Sequence, residues 1–259
     1  MAQWMRKQRT LLVDGDIVLY LNAFANQKKI VWDEETVSEA IDFDKACADV
    51  DTSITRGARR SRCDDALVCL SCPSKDNFRK VIFPDYKANR KDKELPILYH
   101  RLRKYLRHNY EIVIKPSLEA DDVLGILSTR HPDKYVIMST DKDLKQIPGL
   151  HFNWKENKIE KVTKHEGNRW FYMQLIMGDT TDNYKGIPGA GIAKATKIVD
   201  EYLYAGEDKV WTAIVAAYAD KGLTEDDALT MARVARILRA EDYDFEKKEV
   251  KLWQPKKAT

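Results

Sequence analysis

No apolar run in this 259-residue chain approaches the roughly 20 residues needed to span a bilayer, so no membrane association is expected. The run Leu11-Leu12-Val13, behind a basic N-terminal segment, is too short for the core of a signal peptide, and an intracellular, cytoplasmic protein is expected. Cysteine is scarce: Cys47, Cys63, Cys69 and Cys72 are the whole set. Cys69 and Cys72 have C-x-x-C spacing, but a structural zinc site needs a second pair and none exists, so reduced thiols are expected. Net charge is only +3 although 33% of residues are charged, so the placement of charge matters more than its sum. There is no internal repeat and no low-complexity linker. With 44% hydrophobic residues, the chain has enough apolar material for one large core, with or without a small appendage.

What the chain does have is acid in clusters. Between Ser117 and Gly191 stand Leu118-Glu119-Ala120-Asp121-Asp122, then Ser139-Thr140-Asp141-Lys142-Asp143, then Gly178-Asp179-Thr180-Thr181-Asp182-Asn183. A fourth group, Asp14 and Asp16, follows Leu11-Leu12-Val13. Short apolar runs at 11–13, 66–70, 111–114 and 135–138 read as buried strands. Helical spacing falls between them at 17–26, 43–54, 97–106 and 118–130, with Ser117 as the expected N-cap of the last. Arg56 to Arg62 reads as a basic loop, and Trp32 and Val37 as anchors of the mixed stretch 27–42. A hairpin is expected from 151–154 and 158–162. Alternating strands and helices argue for an α/β fold with a mostly parallel sheet and one acidic rim at the strand ends. Past Trp170 the pattern turns helical, with helices expected at 193–204, 211–218 and 225–238 and a short strand at the tail.

Eight acids form the candidate site: Asp14, Glu119, Asp121, Asp122, Asp141, Asp143, Asp179 and Asp182. Brought together, they would repel strongly without cations. Hard oxygen donors, with no histidine or cysteine among them, point to two Mg²⁺ or Mn²⁺ ions. Such a pair activates water against a phosphodiester. The segment 84–108 carries Lys87, Arg90, Lys91, Lys93, Arg101, Arg103, Lys104 and Arg107, with Tyr86, Tyr99 and Tyr105 between them. Cations for phosphates and rings for bases suit a nucleic-acid strand, while Ile97, Leu98, Leu102 and Leu106 would face the core. The turn Gly186-Ile187-Pro188-Gly189-Ala190-Gly191, flanked by Lys185 and Lys194 and entering a helix, has the composition of a helix-hairpin-helix loop that meets duplex phosphates through backbone N–H groups.

In that order the motifs resemble the flap endonuclease and 5′→3′ exonuclease family, in its bacteriophage exonuclease branch. The resemblance rests on Leu12-Val13-Asp14-Gly15-Asp16, Asn77-Phe78-Arg79, Tyr86-Lys87-Ala88-Asn89-Arg90, the three acidic clusters, the glycine turn, the stretch Met231 to Leu238 and the Trp253 tail, and so spans nearly the whole chain. It implies a PIN-like, flap-endonuclease core over residues 1–165, with a helical arch at 84–108, and a helix-hairpin-helix subdomain with the tail over 166–259. It implies that Asp14, Glu119 and Asp121 hold a first metal, that Asp141, Asp143, Asp179 and Asp182 hold a second, and that Asp122 lies between. It also implies a K⁺ ion on backbone carbonyls of the glycine turn, Lys87 and Arg90 on the scissile phosphate, and Tyr86 stacked on a base. Asp14, Asp121, Asp141, Lys87 and Arg90 are then the catalytic set. The implied substrates are 5′ ends of duplex DNA, 5′ flaps and RNA in RNA–DNA hybrids. The implied setting is phage replication, primer removal or recombination in an infected bacterium, with the protein a monomer.

One departure stands out. The family has a further aspartate about six residues before the Phe-Arg pair, and that register falls on Cys72. Two other readings follow from the same residues. A metal-poor relative would bind branched DNA without cutting it. Asp14-Gly15-Asp16-Ile17-Val18 also matches the nucleophile signature of a haloacid-dehalogenase-type phosphohydrolase, with Asp14 attacking phosphorus.

Overall fold

A computed structural model of the chain describes residues 8–31, 37–91 and 94–256. Trp32 and Lys93 lie outside them, as does the side chain of Val37.

Six strands form the central sheet: β1 (Thr10–Asp14), β2 (Asp65–Cys69), β3 (Glu111–Val113), β4 (Tyr135–Met138), β5 (Gly149–Asn153) and β6 (Lys158–Val162). Their order is β3-β2-β1-β4-β5-β6, and every pairing is parallel except β5 with β6. This is the mostly parallel sheet the sequence predicts. The expected hairpin is its edge, and β5 also joins β4 in the main sheet. Continuous burial of Leu11, Leu12 and Val13 follows from helices on both faces.

Alternation along β1 divides those faces. Leu11 and Val13 pack with α1 (Gly15–Ala25), α2 (Phe43–Ser61) and α4 (Tyr99–Asn109). Leu12 packs on the other side with α5 (Ala120–Arg130) and with Ile237, Leu238 and Tyr243 of the C-terminal segment. Between α2 and α4 in sequence lies the short α3 (Phe78–Ile82). The remaining helices, α6 (Lys164–Met177), α7 (Ile192–Tyr202), α8 (Glu207–Ala219) and α9 (Glu225–Ala235), enclose a second core that also receives Tyr86.

Three local readings need correction. Arg56 to Arg62 is not a loop: α2 runs to Ser61 because Ala46, Cys47, Val50, Ile54 and Ser61 keep its buried stripe going at helical spacing, and Arg62 ends it in a left-handed cap. Ser117 does not cap α5; it is itself left-handed (φ 61°), and Glu119 takes the N-cap position in a capping box with Asp122. Ile97 is exposed, whereas Leu98, Leu102 and Leu106 are fully buried as expected. Among the described residues of the 84–108 region only α4 is a full helix, and it lies against α1 and α2.

Candidate active site

Strand order reverses at β1, whose neighbours β2 and β4 lie on either side, and ligand sites of open α/β sheets form outside the strand ends at such a point. The carboxyl end of β1 delivers Asp14, and the carboxyl end of β4 leads into Ser139 and Asp141. Asp14 is the N-cap of α1: Ile17 N–H donates to its Oδ1 at 3.2 Å, and the Ser139 hydroxyl donates to its Oδ2 at 2.7 Å. The turn works only with glycine next in sequence. A Cβ on Gly15 would lie 2.6 Å from Val68 and Leu70 side chains and 2.7 Å from the Cys69 carbonyl oxygen.

Asp121 enters from the first turn of α5, and Asp141 caps the short 3₁₀ turn Lys142–Gln146, accepting from Asp143 N–H at 2.8 Å. Asp179 lies on a two-residue strand paired with Tyr184–Lys185 and accepts from the N–H groups of Thr181 (2.6 Å) and Asp182 (3.3 Å).

Electrostatics shows which acids crowd one another. Burial, then the charges of Asp16 and Asp141 working against the Ser139 hydrogen bond, raises Asp14 to about 7. Burial and the charges of Asp14, Asp141 and Glu119 push Asp121 well above the carboxylate range. Asp141 is raised by burial and by Asp182, and Asp143 reaches about 7 through burial, Asp141 and Asp179. None of these four makes an ion pair among the described residues, and the buried Oδ1 of Asp143 has no hydrogen-bond partner.

Glu119 and Asp182 are arranged otherwise. Lys87 Nζ lies 2.5 Å from Glu119 Oε1 and 3.5 Å from Asp182 Oδ2, and Arg90 Nη2 lies 2.5 Å from Asp182 Oδ1. Burial opposes charge on Glu119, but Lys87 and Arg79 outweigh it and hold the carboxyl down at about 2. No group of three or more His, Cys, Asp or Glu among the described residues stands in a metal-holding arrangement. The donor set itself fits hard divalent cations: repelling carboxylates, one orphaned buried oxygen, and no nitrogen or sulfur.

Two expected roles are corrected. Asp122 does not face the site: it is fully buried, and its two oxygens receive Arg79 Nη1 and Nη2, each at 2.7 Å, together with the N–H groups of Glu119 and Leu238. Tyr86 is not a free stacking surface. It is 3% exposed, and its hydroxyl donates within reach of both Glu119 (2.7 Å) and Asp182 (3.1 Å). Tyr99 and Tyr105 are likewise bound inward, to Asp16 and Asp51.

At the register of the family's further aspartate stands a thiol. Cys72 is buried, and its thiol is pushed up to about 11 by burial and by Glu119. Asp16 accepts from Ser71 N–H at 3.0 Å and lies 3.3 Å from Arg103. In the glycine turn, Gly189 (φ +74°) and Gly191 face open space, and Gly191 caps α7 with no side-chain hydrogen bond. Gly186 differs, being held against the Ile176 carbonyl where a Cβ would clash. Lys185 is exposed and Lys194 half-buried, neither in an ion pair among the described residues. Arg79 and Ser139 are supports of the site that sequence reasoning does not single out. Ser139 stands two residues before Asp141, and that spacing was its one signal; nothing in the sequence around Arg79 pointed to Asp122.

The fold is shared with solved nucleases of phage T5. The T5 D15 protein co-crystallised with metal ions superposes with a TM-score of 0.64 over 88% of this chain and 89% of that one, at 16% identity. The T5 5′-exonuclease with bound zinc gives 0.61 over 88% and 93%, also at 16% identity. Residues 9–175 match the family model described as 5′-3′ exonuclease, N-terminal resolvase-like domain. The exodeoxyribonuclease of Enterobacteria phage T3 is 31% identical over 95% of this chain and 93% of its own length, and the exonuclease of Escherichia phage T7 matches at 31% over the same shares. The sheet, the acidic rim and these similarities define a nuclease. The chain belongs to the 5′–3′ exonuclease and flap endonuclease family, and the phosphohydrolase reading falls away.

Proposed function

We propose that the chain is a divalent-metal-dependent 5′-nuclease that hydrolyses phosphodiesters from the 5′ end of duplex DNA, acts on 5′ flaps, and removes RNA from RNA–DNA hybrids. The observation that carries this reading is the cluster of Asp14, Asp121, Asp141 and Asp143, four crowded carboxylates without an ion pair among the described residues, beside Lys87 and Arg90. Asp14, Glu119 and Asp121 would hold one Mg²⁺ or Mn²⁺, and Asp141, Asp143, Asp179 and Asp182 the other. The ions, when bound, supply a lowered water pKa and a Lewis acid on the phosphoryl oxygens.

The chain's own groups do the rest. Ser139 and the Ile17 N–H fix the Asp14 carboxylate, and Asp143 N–H fixes Asp141. Lys87 and Arg90 sit on a segment of turns and one 3₁₀ turn, where an incoming phosphate can compete for them against Glu119 and Asp182. On the phosphate they would stabilise negative charge that develops in the transition state. Gly189, Gly191 and the uncapped start of α7, with Lys185 and Lys194 beside them, would hold duplex backbone, and the glycine turn would take K⁺ on its carbonyls. Solved T5 D15 flap endonuclease has been captured with DNA and metal ions, which supports DNA as the partner here. One monomer holds the whole set.

Polarity tests the reading. Duplexes labelled at the 5′ or the 3′ end are incubated with Mg²⁺. Early release of short 5′-labelled fragments, with the 3′ label kept in long product, supports a 5′-nuclease. Early loss of the 3′ label overturns it.

A further inference from the structure

The turn that carries Lys87 and Arg90 is tied to the loop that carries Asp179 and Asp182 by two asparagines, one on each side. Asn89 Nδ2 donates to the Thr180 carbonyl at 2.8 Å, and Asn183 Nδ2 donates back to the Asp85 carbonyl at 2.7 Å. Between them the Lys87 N–H donates to the Asp182 carbonyl at 2.9 Å, and Arg90 Nε donates to the Thr181 carbonyl at 3.3 Å. The asparagines reach partners 91 and 98 residues away in sequence, so neither turn makes this clasp alone.

Backbone conformation fits a turn that is held in place. Asn183 is left-handed (φ 58°), which asparagine tolerates better than most residues. Lys87 is left-handed as well (φ 55°), which lysine seldom adopts. Such a conformation persists only where its surroundings impose it. Around Lys87 the surroundings are the clasp on one side and Tyr86 on the other. Tyr86 is buried in the C-terminal core, with its hydroxyl within reach of Glu119 and Asp182. The backbone of 85–90 is thus fixed over the acidic rim at both ends, while the Lys87 and Arg90 side chains end on Glu119 and Asp182.

We infer that Asn89 and Asn183 are positioning residues of the nuclease. By clasping the two segments they keep Lys87 and Arg90 over the rim, so that passing from carboxylate to phosphate takes a side-chain rotation and no movement of the turn. The inference rests on the nuclease reading above, in which Lys87 and Arg90 meet the scissile phosphate.

Two variants test it, Asn89→Ala and Asn183→Gly; glycine accepts the left-handed backbone, so the second deletes the amide without adding strain. Amide hydrogen exchange in EDTA, followed by NMR, reads the clasp without metal or substrate. Each variant speeds exchange of the Lys87 N–H about fivefold, the scale of one hydrogen bond, and leaves the Leu12 N–H of β1 unchanged. With Mg²⁺, single-turnover cleavage of a 5′-flap duplex slows by about tenfold in each variant, the effect of a displaced catalytic cation, while flap affinity stays close to wild type. In the Lys87→Ala protein the same changes cost at least about twofold less than in wild type, because they act through that side chain. Unchanged Lys87 exchange, or cleavage at the wild-type rate, overturns the inference. A fully additive loss in Lys87→Ala makes the asparagines structural only and overturns the positioning role. A wild type that does not cut the flap removes the nuclease reading and this inference with it, whereas exchange reads the clasp in either case.

Discussion

Arg79 and Asp122 face each other with two parallel contacts of 2.7 Å while 3% and 0% exposed. Arg79 also donates to the carbonyls of Val234 (2.9 Å) and Arg236 (2.6 Å), so the pair joins α3, α5 and the chain after α9. An acid one residue from the catalytic rim thus serves as the fastener between the sheet layer and the C-terminal helices.

Neighbouring aspartates should therefore respond in opposite directions. Asp122→Asn strands a buried guanidinium charge and costs about 3–5 kcal/mol. Asp121→Asn removes repulsion from Asp14, Asp141 and Glu119 and stabilises the chelated protein. Urea denaturation in EDTA reads both. A stabilised Asp122→Asn would show that the pair holds nothing together.

Stability of the chelated protein should depend on pH in two phases. Asp14 and Asp143 have folded pKa values of about 7, above their unfolded values, so the folded state takes up protons first as pH falls. Stability rises between pH 8 and about pH 5. Glu119, held at about 2, acts the other way, and its contribution is lost below about pH 4. Thermal unfolding across this range checks both limbs. A midpoint that falls steadily from pH 8 to pH 5 contradicts the crowding of the acids.

Lys87→Ala should slow the chemical step by roughly a hundredfold or more, the scale of one lost charge-stabilising donor. Duplex binding should weaken far less. Single-turnover cleavage beside equilibrium binding separates the two, and equal losses in both would give Lys87 a docking role only.

Gly189→Val should weaken duplex binding and leave the metal affinity of the acidic rim as it is. The left-handed backbone there (φ +74°) resists a β-branched residue, and nothing lies within 4 Å, so the distortion stays in the turn. Binding equal to wild type would remove the turn from the DNA interface.

Much of this was legible because it rests on local pattern. Leu11-Leu12-Val13 ahead of Asp14 has to be a buried strand ending in a turn, and Asp141 and Asp179 follow the same logic after their own elements. What was not legible depends on partners distant in sequence. Asp121 and Asp122 look alike in the chain, and only Arg79, 43 positions before Asp122, decides that one turns inward. Tyr86 among lysines and arginines reads as a base-stacking ring, until the helices of the C-terminal core close over it. Arg56 to Arg62 reads as a loop because its charges mask the continuation of a buried stripe already set by Val50 and Ile54.

We propose that the acidic rim cuts DNA with divalent metal. The most direct test is cleavage of a 5′-labelled duplex bearing a 5′ flap, with Mg²⁺ or with EDTA, by the wild type and by Asp141→Ala. Wild type with Mg²⁺ gives short 5′-labelled products, while EDTA gives none and Asp141→Ala gives none although that variant still binds the flap. Cleavage that persists in EDTA, or in Asp141→Ala with Mg²⁺, would contradict it.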